Sequence, residues 1–452
     1  MTTRNLTFAG EVVINKMEIV SINTSFVVDL QNMFLGINIY EDIFSPFING
    51  TLVIQDANAL INRLPIVGEE FLDLDIVTPG FPDEDKKHSI HGRFYVYKIS
   101  DRQYANDRLV SYILHFVSVE ALLDMNIKLS KGFNSAKISD IASDILKQYS
   151  YFQNDSKELT DEQLERFNIE ETSNGHAYVS NFWSPVKNLN YLAEHAISMP
   201  ANNNGKMTEG SPTFLFFENR NGLNFISLEA LFRNDITREF RKDNFTRDIP
   251  TDKENRTTTF DFEKNYSRVM EFNIVESFSY IDRNRSGTFA SNMIVHNITN
   301  KTYRNIAFDY KTNYDNEIRL NEFAPISKQS INTKENAYIM MEKANAIFEG
   351  NHDISNSKIA QRRLSLMNLM DTQQIEITVL GRTDYTVGQR VSFVLYKVCN
   401  LELEDEQEDK LLSGNYLITA IRHIITNQNH QCVMLLMKDS LSIDLNEVER
   451  AA

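Results

Sequence analysis

The chain has 452 residues, of which 42% are hydrophobic and 24% charged, so it is too long for one compact core and too apolar for wholesale disorder; about two to four domains are expected. Acidic residues outnumber basic ones, 62 to 46, for a formal net charge of −16. That balance excludes sequence-independent clamping of DNA, which needs a basic surface that releases counterions, and leaves a duplex able to pass a negatively lined channel without sticking.

From residue 16 to residue 120 the pattern is one of short strands. Segments 17–30, 33–40, 47–55, 70–77, 92–100 and 108–120 alternate apolar and polar residues, with Ser45-Pro46, Asn49-Gly50, Pro65 and Pro79-Gly80-Phe81-Pro82 as breakers. Such spacing predicts an antiparallel barrel or sandwich over 1–125. In 71–76, Leu72, Leu74 and Ile76 are expected on a core, with Asp73 and Asp75 facing water. The period then changes. Ser135 caps a predicted helix over 136–149, whose Ile138, Ile141, Ala142, Ile145, Leu146 and Tyr149 form one stripe. Residues 153–173 read as a polar surface loop. Ser184-Pro185 opens a second helix that runs to Pro200, and 213–217 with 223–228 form a hairpin turned by Asn219-Arg220-Asn221-Gly222. These elements make an α/β insertion over 126–230.

Residues 231–330 follow, with an arginine-rich part at 233–259, strands at 268–280 and 293–300 and a turn at 282–287; this region is expected to contribute to a second barrel. A helical connector at 331–372 comprises helices over 333–349 and 357–370. Closing strands at 374–380, 390–397, 416–424 and 431–437 complete the second barrel within 373–440, with an acidic tip at 402–409 and a C-terminal tail at 441–452. The fold class expected is β-rich α+β: two antiparallel β-barrel (tube) domains, an α/β insertion and helical connectors. The 29 phenylalanines and 18 tyrosines, against 16 glycines and a single Trp183, favour the same class.

No residue constellation marks an active site, and no cofactor or metal is expected. His88 and His91 enter a strand on opposite faces. His423 and His430 straddle the last hairpin turn as a cross-strand polar pair with no third ligand evident. Glu194 and His195 are adjacent on a helix, about 100° apart. Cys399 and Cys432 are too few for a disulfide scaffold and lie in apolar runs where buried free thiols are usual. The abundance of carboxylates is the only support for an alternative reading as a cell-wall hydrolase. The N-terminus has no apolar run behind a basic start, and no apolar stretch approaches the ~20 residues of a membrane span; no membrane insertion is expected.

Four stretches in order carry a resemblance. They are Phe47–Asp56 with Leu64–Ile76; the helix 138–149 with Pro185–Ala193 and the hairpin 214–228; the helix 357–370 leading into Ile375–Val379 and Tyr385–Phe393; and Gly414–His423 with Val433–Met437. Together they resemble the central baseplate hub of contractile-tailed (T-even-type) phages, related to the hub part of type VI secretion VgrG spikes. The resemblance implies a structural, non-enzymatic virion protein of the tail baseplate, assembled in the host cytoplasm. It implies a homotrimer that joins a trimeric tail spike protein to a hexameric tail tube protein around a channel, flanked by baseplate wedge proteins. A related injection-system hub or another baseplate or tube-initiator protein are the neighbouring readings. Subunit contacts are then expected on the strands carrying Phe34, Ile37, Ile39, Tyr95 and Tyr97 in the first barrel, and Phe393, Leu395, Tyr416, Ile418 and Ile421 in the second.

Overall fold

The alternating segments form strands that are buried on one face. The computed structural model describes residues 6–21, 26–58, 60–63, 66–80, 88–106, 109–153, 165–200, 202–203, 206–207, 209–242, 262–297, 301–327, 338–343, 352–396, 408–427 and 429–445. Strands β1 (Val13–Val20), β2 (Val27–Asp29), β3 (Phe34–Asp42), β4 (Asn49–Asp56), β5 (Phe71–Val77), β6 (Ser89–Asn106) and β7 (Leu109–Ser118) lie in the order β3-β4-β7-β6-β5-β1-β2. Every neighbouring pair is antiparallel. Leu72, Leu74 and Ile76 join Leu52, Ile54, Leu114 and Phe116 in one core, as their alternation requires. Asp73 departs from expectation. It is buried because Arg93, its partner across β5 and β6, clamps it at 2.7 and 3.0 Å while Lys16 on β1 adds a contact of 2.9 Å.

The α/β layer follows. It contains α2 (Val119–Asn126), β8 (Leu129–Lys137), α3 (Ile138–Gln153), β9 (Phe167–Ile169), β10 (Gly175–Trp183), α4 (Pro185–His195), β11 (Asn202–Asn203), β12 (Lys206–Met207), β13 (Phe214–Asn219), β14 (Gly222–Ser227) and α5 (Leu228–Phe232). The predicted stripe Ile138, Ile141, Ala142, Ile145 and Leu146 is buried against Leu189, Leu192, Phe214 and Phe225. Ser184 caps α4 by accepting from the Lys187 amide, with Pro185 in its first turn. The helix ends at His195 and not at Pro200. At the β13–β14 turn Gly222 has φ +136°, and a Cβ there would lie 2.1 Å from the Arg166 carbonyl oxygen. The 153–173 segment, expected as a loop, contains β9, which pairs parallel to β14; 154–164 lie outside the described residues.

The remaining elements are β15 (Ile236–Lys242), α6 (Phe262–Ser267), β16 (Val269–Ser277), α7 (Tyr280–Arg285), β17 (Ala290–Asn297), β18 (Thr302–Asp309), α8 (Tyr310–Asn313), β19 (Tyr338–Lys343), α9 (His352–Leu369), β20 (Gln373–Leu380), β21 (Arg390–Leu395), β22 (Gly414–Ile425) and β23 (His430–Lys438); α1 (Leu60–Arg63) precedes β5. The four closing strands fall where the pattern places them, in the order β20-β23-β22-β21, with β15 parallel to β21 and β16 antiparallel to β20. Two expectations are corrected. Within the helix predicted over 333–349, Tyr338–Lys343 form β19, parallel to β17; a sheet edge left open by β17 overrides local helix propensity. The rest of that segment lies outside the described residues. Residues 290–309 do not join the second sheet half: β17 and β18 build a separate sheet with β19.

The two halves meet strand to strand. Gly414–Leu417 of β22 pair with β21, while Ala420–Ile425 pair antiparallel with β3, from Ala420–Asp42 to Ile425–Ile37. Each core takes a residue from beyond the seam, Ile425 in the first and Ile43 in the second. The result is one 13-stranded sheet running from β16 to β2. An isolated bridge, Arg241 to Arg268, brings the end of β15 back to the start of β16. Among the described residues no full ladder closes either half into a barrel.

Candidate assembly surface

A strand takes part in assembly through an open backbone edge or through side chains on a free face. Of the ten residues predicted at subunit contacts, Phe34, Ile37 and Ile39 lie in the first core, and Phe393, Leu395, Tyr416, Ile418 and Ile421 in the second. Their alternation marks the face turned to the chain's own interior. The strands that carry them, β3, β21 and β22, have neighbours on both sides. Only the pair on β6 reaches outward: Tyr95 is half-buried against the Phe71 ring, and Tyr97 is 51% exposed.

The open edges are elsewhere. β16 ends the sheet path, and Glu271 to Ser277 are exposed along its length. Phe272, Ile274 and Val275 show apolar surface there, and Ile281 on the adjoining α7 is 70% exposed. At the opposite end Val27 of β2 and Phe26 just before it are also exposed. Neither edge stands out in the sequence, because strand alternation reveals faces and not which strand is last.

Charge organises the rigid frame behind these edges. Glu218 of β13 accepts from the Ile48 amide at 3.1 Å and from the Ser118 hydroxyl, fastening the α/β layer to the first sheet half. Burial, and then the nearby Glu120 charge, raise its carboxyl well above the usual range. Arg362 on α9 makes a two-pronged contact of 2.6 Å with Glu317, donates to the Gly210 carbonyl and stands 3.7 Å from Glu229. Burial is the largest effect and opposes its charge, but the Glu317 hydrogen bonds together with the charges of Glu317, Glu229 and Glu209 outweigh it and raise its pKa. Lys438 donates to the carbonyls of Leu411, Leu412 and Ser413, fixing the chain that enters β22. In the arginine-rich region, Arg233 pairs with Glu170, Arg241 with Glu239, and Lys242 with main-chain carbonyls of Val269 and Met270. These are contacts within one chain. Residues 243–259 and 402–407 lie outside the described residues.

The histidines behave mostly as expected. His91 is exposed beside Ser89, and His195 faces the Tyr191 carbonyl at 2.7 Å while Glu194 is exposed. His423 and His430 are different: both are fully buried, with Cys432 beside them.

No protein-family model matches the sequence, and no curated protein matches it. Solved structures do match. A tail protein from Neisseria meningitidis MC58 superposes with a TM-score of 0.52 at 9% identity, over 94% of this chain and 96% of its own. The 43 kDa tail protein of prophage MuSo2 from Shewanella oneidensis gives 0.51 at 10% identity, over 95% and 100%. This chain has a tail-protein fold. A component of the E. coli type VI secretion system, described as structurally similar to T4 bacteriophage tail proteins gp27 and gp5, gives 0.43 at 8% identity over 95% of this chain and 76% of its own. Among the described residues no helix is long and apolar enough to cross a membrane.

Proposed function

We propose that the chain is a structural tail protein, the central hub of a contractile-tail baseplate, acting as a trimeric adaptor between a trimeric spike and a hexameric tube. The observation that carries this reading is the β3–β22 seam, which sets two mostly antiparallel sheet halves side by side in one chain. Three copies with two such units each present six near-equivalent positions, and that number matches a threefold partner on one side to a sixfold partner on the other. The full-length superposition on two tail proteins supports the same reading. Around the ring each copy offers its neighbour the β16 edge, where Phe272, Ile274 and Val275 await cover, and the outward Tyr97 of β6. Obligate interfaces of this kind bury ~2,000 Å² or more. Wedge proteins contact the outer face, and the acidic surface lets DNA pass without adhering.

Molar mass from light scattering tests the contact. The native chain is expected at three times its monomer mass, and Phe272→Lys/Val275→Lys at one. A native chain that stays monomeric at high concentration and in the presence of its spike partner argues against the hub.

A further inference from the structure

At the seam, three polar side chains converge inside the protein. His423 on β22 lies across the ladder from Cys432 on β23, and His430 is two residues before Cys432 on the same face. All three are fully buried. His423 Nδ1 is 3.0 Å from His430 Nε2, and Cys432 Sγ is 3.3 Å from the first nitrogen and 3.5 Å from the second. One nitrogen from each ring and the sulfur thus stand within 3.5 Å of one another. We propose that His423, His430 and Cys432 form a metal site, and that the ion they hold is zinc.

The geometry carries the proposal. With zinc–nitrogen bonds near 2.0–2.1 Å and zinc–sulfur near 2.3 Å, tetrahedral ligand atoms stand about 3.3 Å apart for two nitrogens and about 3.5 Å for nitrogen and sulfur. The three separations above fall on or slightly inside those values, so the ion enters with only a slight spreading of the rings. A flat three-coordinate centre, as copper(I) favours, needs wider spacings. Two imidazoles and one thiolate are also the borderline-soft donors zinc prefers.

The surroundings agree. The outer nitrogen of His423 faces Glu41 Oε1 at 3.9 Å, beyond hydrogen-bond reach; a small shift of the ring would bring a carboxylate behind it, as ligating histidines commonly have. Glu41 is itself fixed by Thr386 and the Val387 amide. Binding the ion displaces the Cys432 thiol proton to solvent. Gly381 makes room for the cluster, since a Cβ there would lie 2.3 Å from the His430 ring. The ion would staple the β22–β23 hairpin beside the stretch where β22 pairs with β3.

The test uses the full-length chain purified without chelator. Metal content by inductively coupled plasma mass spectrometry is expected to be about one zinc per chain. Cobalt(II) added to the metal-stripped chain is expected to give the thiolate-to-cobalt charge-transfer band, lost in Cys432→Ser and kept in Cys399→Ser. Zinc is also expected to raise the melting temperature of the native chain and to shield Cys432 from alkylation. Should Cys432→Ser fail to fold, those last two readings on the native chain decide. A natively folded chain that binds neither zinc nor cobalt overturns the proposal, as does a cobalt band that survives in Cys432→Ser or binding of copper alone. Each reading is independent of oligomeric state, so it neither rests on nor tests the hub assignment.

Discussion

Arg362 anchors α9 together with Arg363, which donates to the Pro212 and Phe214 carbonyls, and Arg362→Ala puts its share to a quantitative test. The guanidinium faces Glu317 with two contacts of 2.6 Å and holds the Gly210 carbonyl at 2.6 Å. Glu317 and Glu229 are almost wholly buried. Removing the arginine leaves Glu317 as a buried carboxylate without its counter-charge, which costs about 3–5 kcal/mol, and frees one carbonyl for about 1 kcal/mol more. Trp183 is the sole tryptophan and sits in the α/β layer that Gly210 borders, packed against Tyr191. Its fluorescence in urea therefore follows the affected region. At a slope of about 2 kcal/mol/M, the midpoint should fall by about 2–3 M. Arg362→Met combined with Glu317→Leu should recover most of the loss, because replacing a whole buried pair by apolar residues is close to neutral. A midpoint shift below about 0.5 M for Arg362→Ala, or a double variant worse than the single one, refutes the reasoning.

Glu218 supplies a pH dependence. Its folded-state carboxyl is raised by burial and then by Glu120, so its contribution is fully present below the usual carboxylate value of 4.5 and is lost as pH rises through the raised folded value. Urea midpoints across that range should decline less steeply in Glu218→Gln than in the native chain. Lys438→Met removes the donor to three carbonyls at 2.9–3.3 Å and should destabilise the second sheet half by about 2–4 kcal/mol, read as a lower melting temperature by circular dichroism. Gly222→Ala forces a Cβ against the Arg166 carbonyl at a positive φ and should cost more than about 1 kcal/mol; an unchanged melting temperature would show that the turn relaxes freely.

The closing strands of the second half were legible within one or two residues, and so were the α3 stripe and the capped start of α4, because each is set by local periodicity or a local cap. What the sequence concealed is long-range. The β3–β22 pairing joins residues 37–42 to 420–425, and alternation on one strand cannot name its neighbour. The same limit explains the contact residues: Ile37 and Tyr416 read as strand residues in need of cover, and the cover comes from their own chain. Asp73 was expected in water because Arg93, twenty positions on, lies outside any local window. The third member of the His423–His430 cluster was discoverable. On a strand, residues two apart share a face, so His430 places Cys432 beside it.

The hub reading rests on three chains with two sheet halves each forming a ring. Class-averaged electron micrographs of the purified oligomer measure this most directly. The account predicts end-on views with threefold symmetry, a near-sixfold inner rim and a central hole. A compact particle without a hole, or a ring of six whole chains, would contradict it.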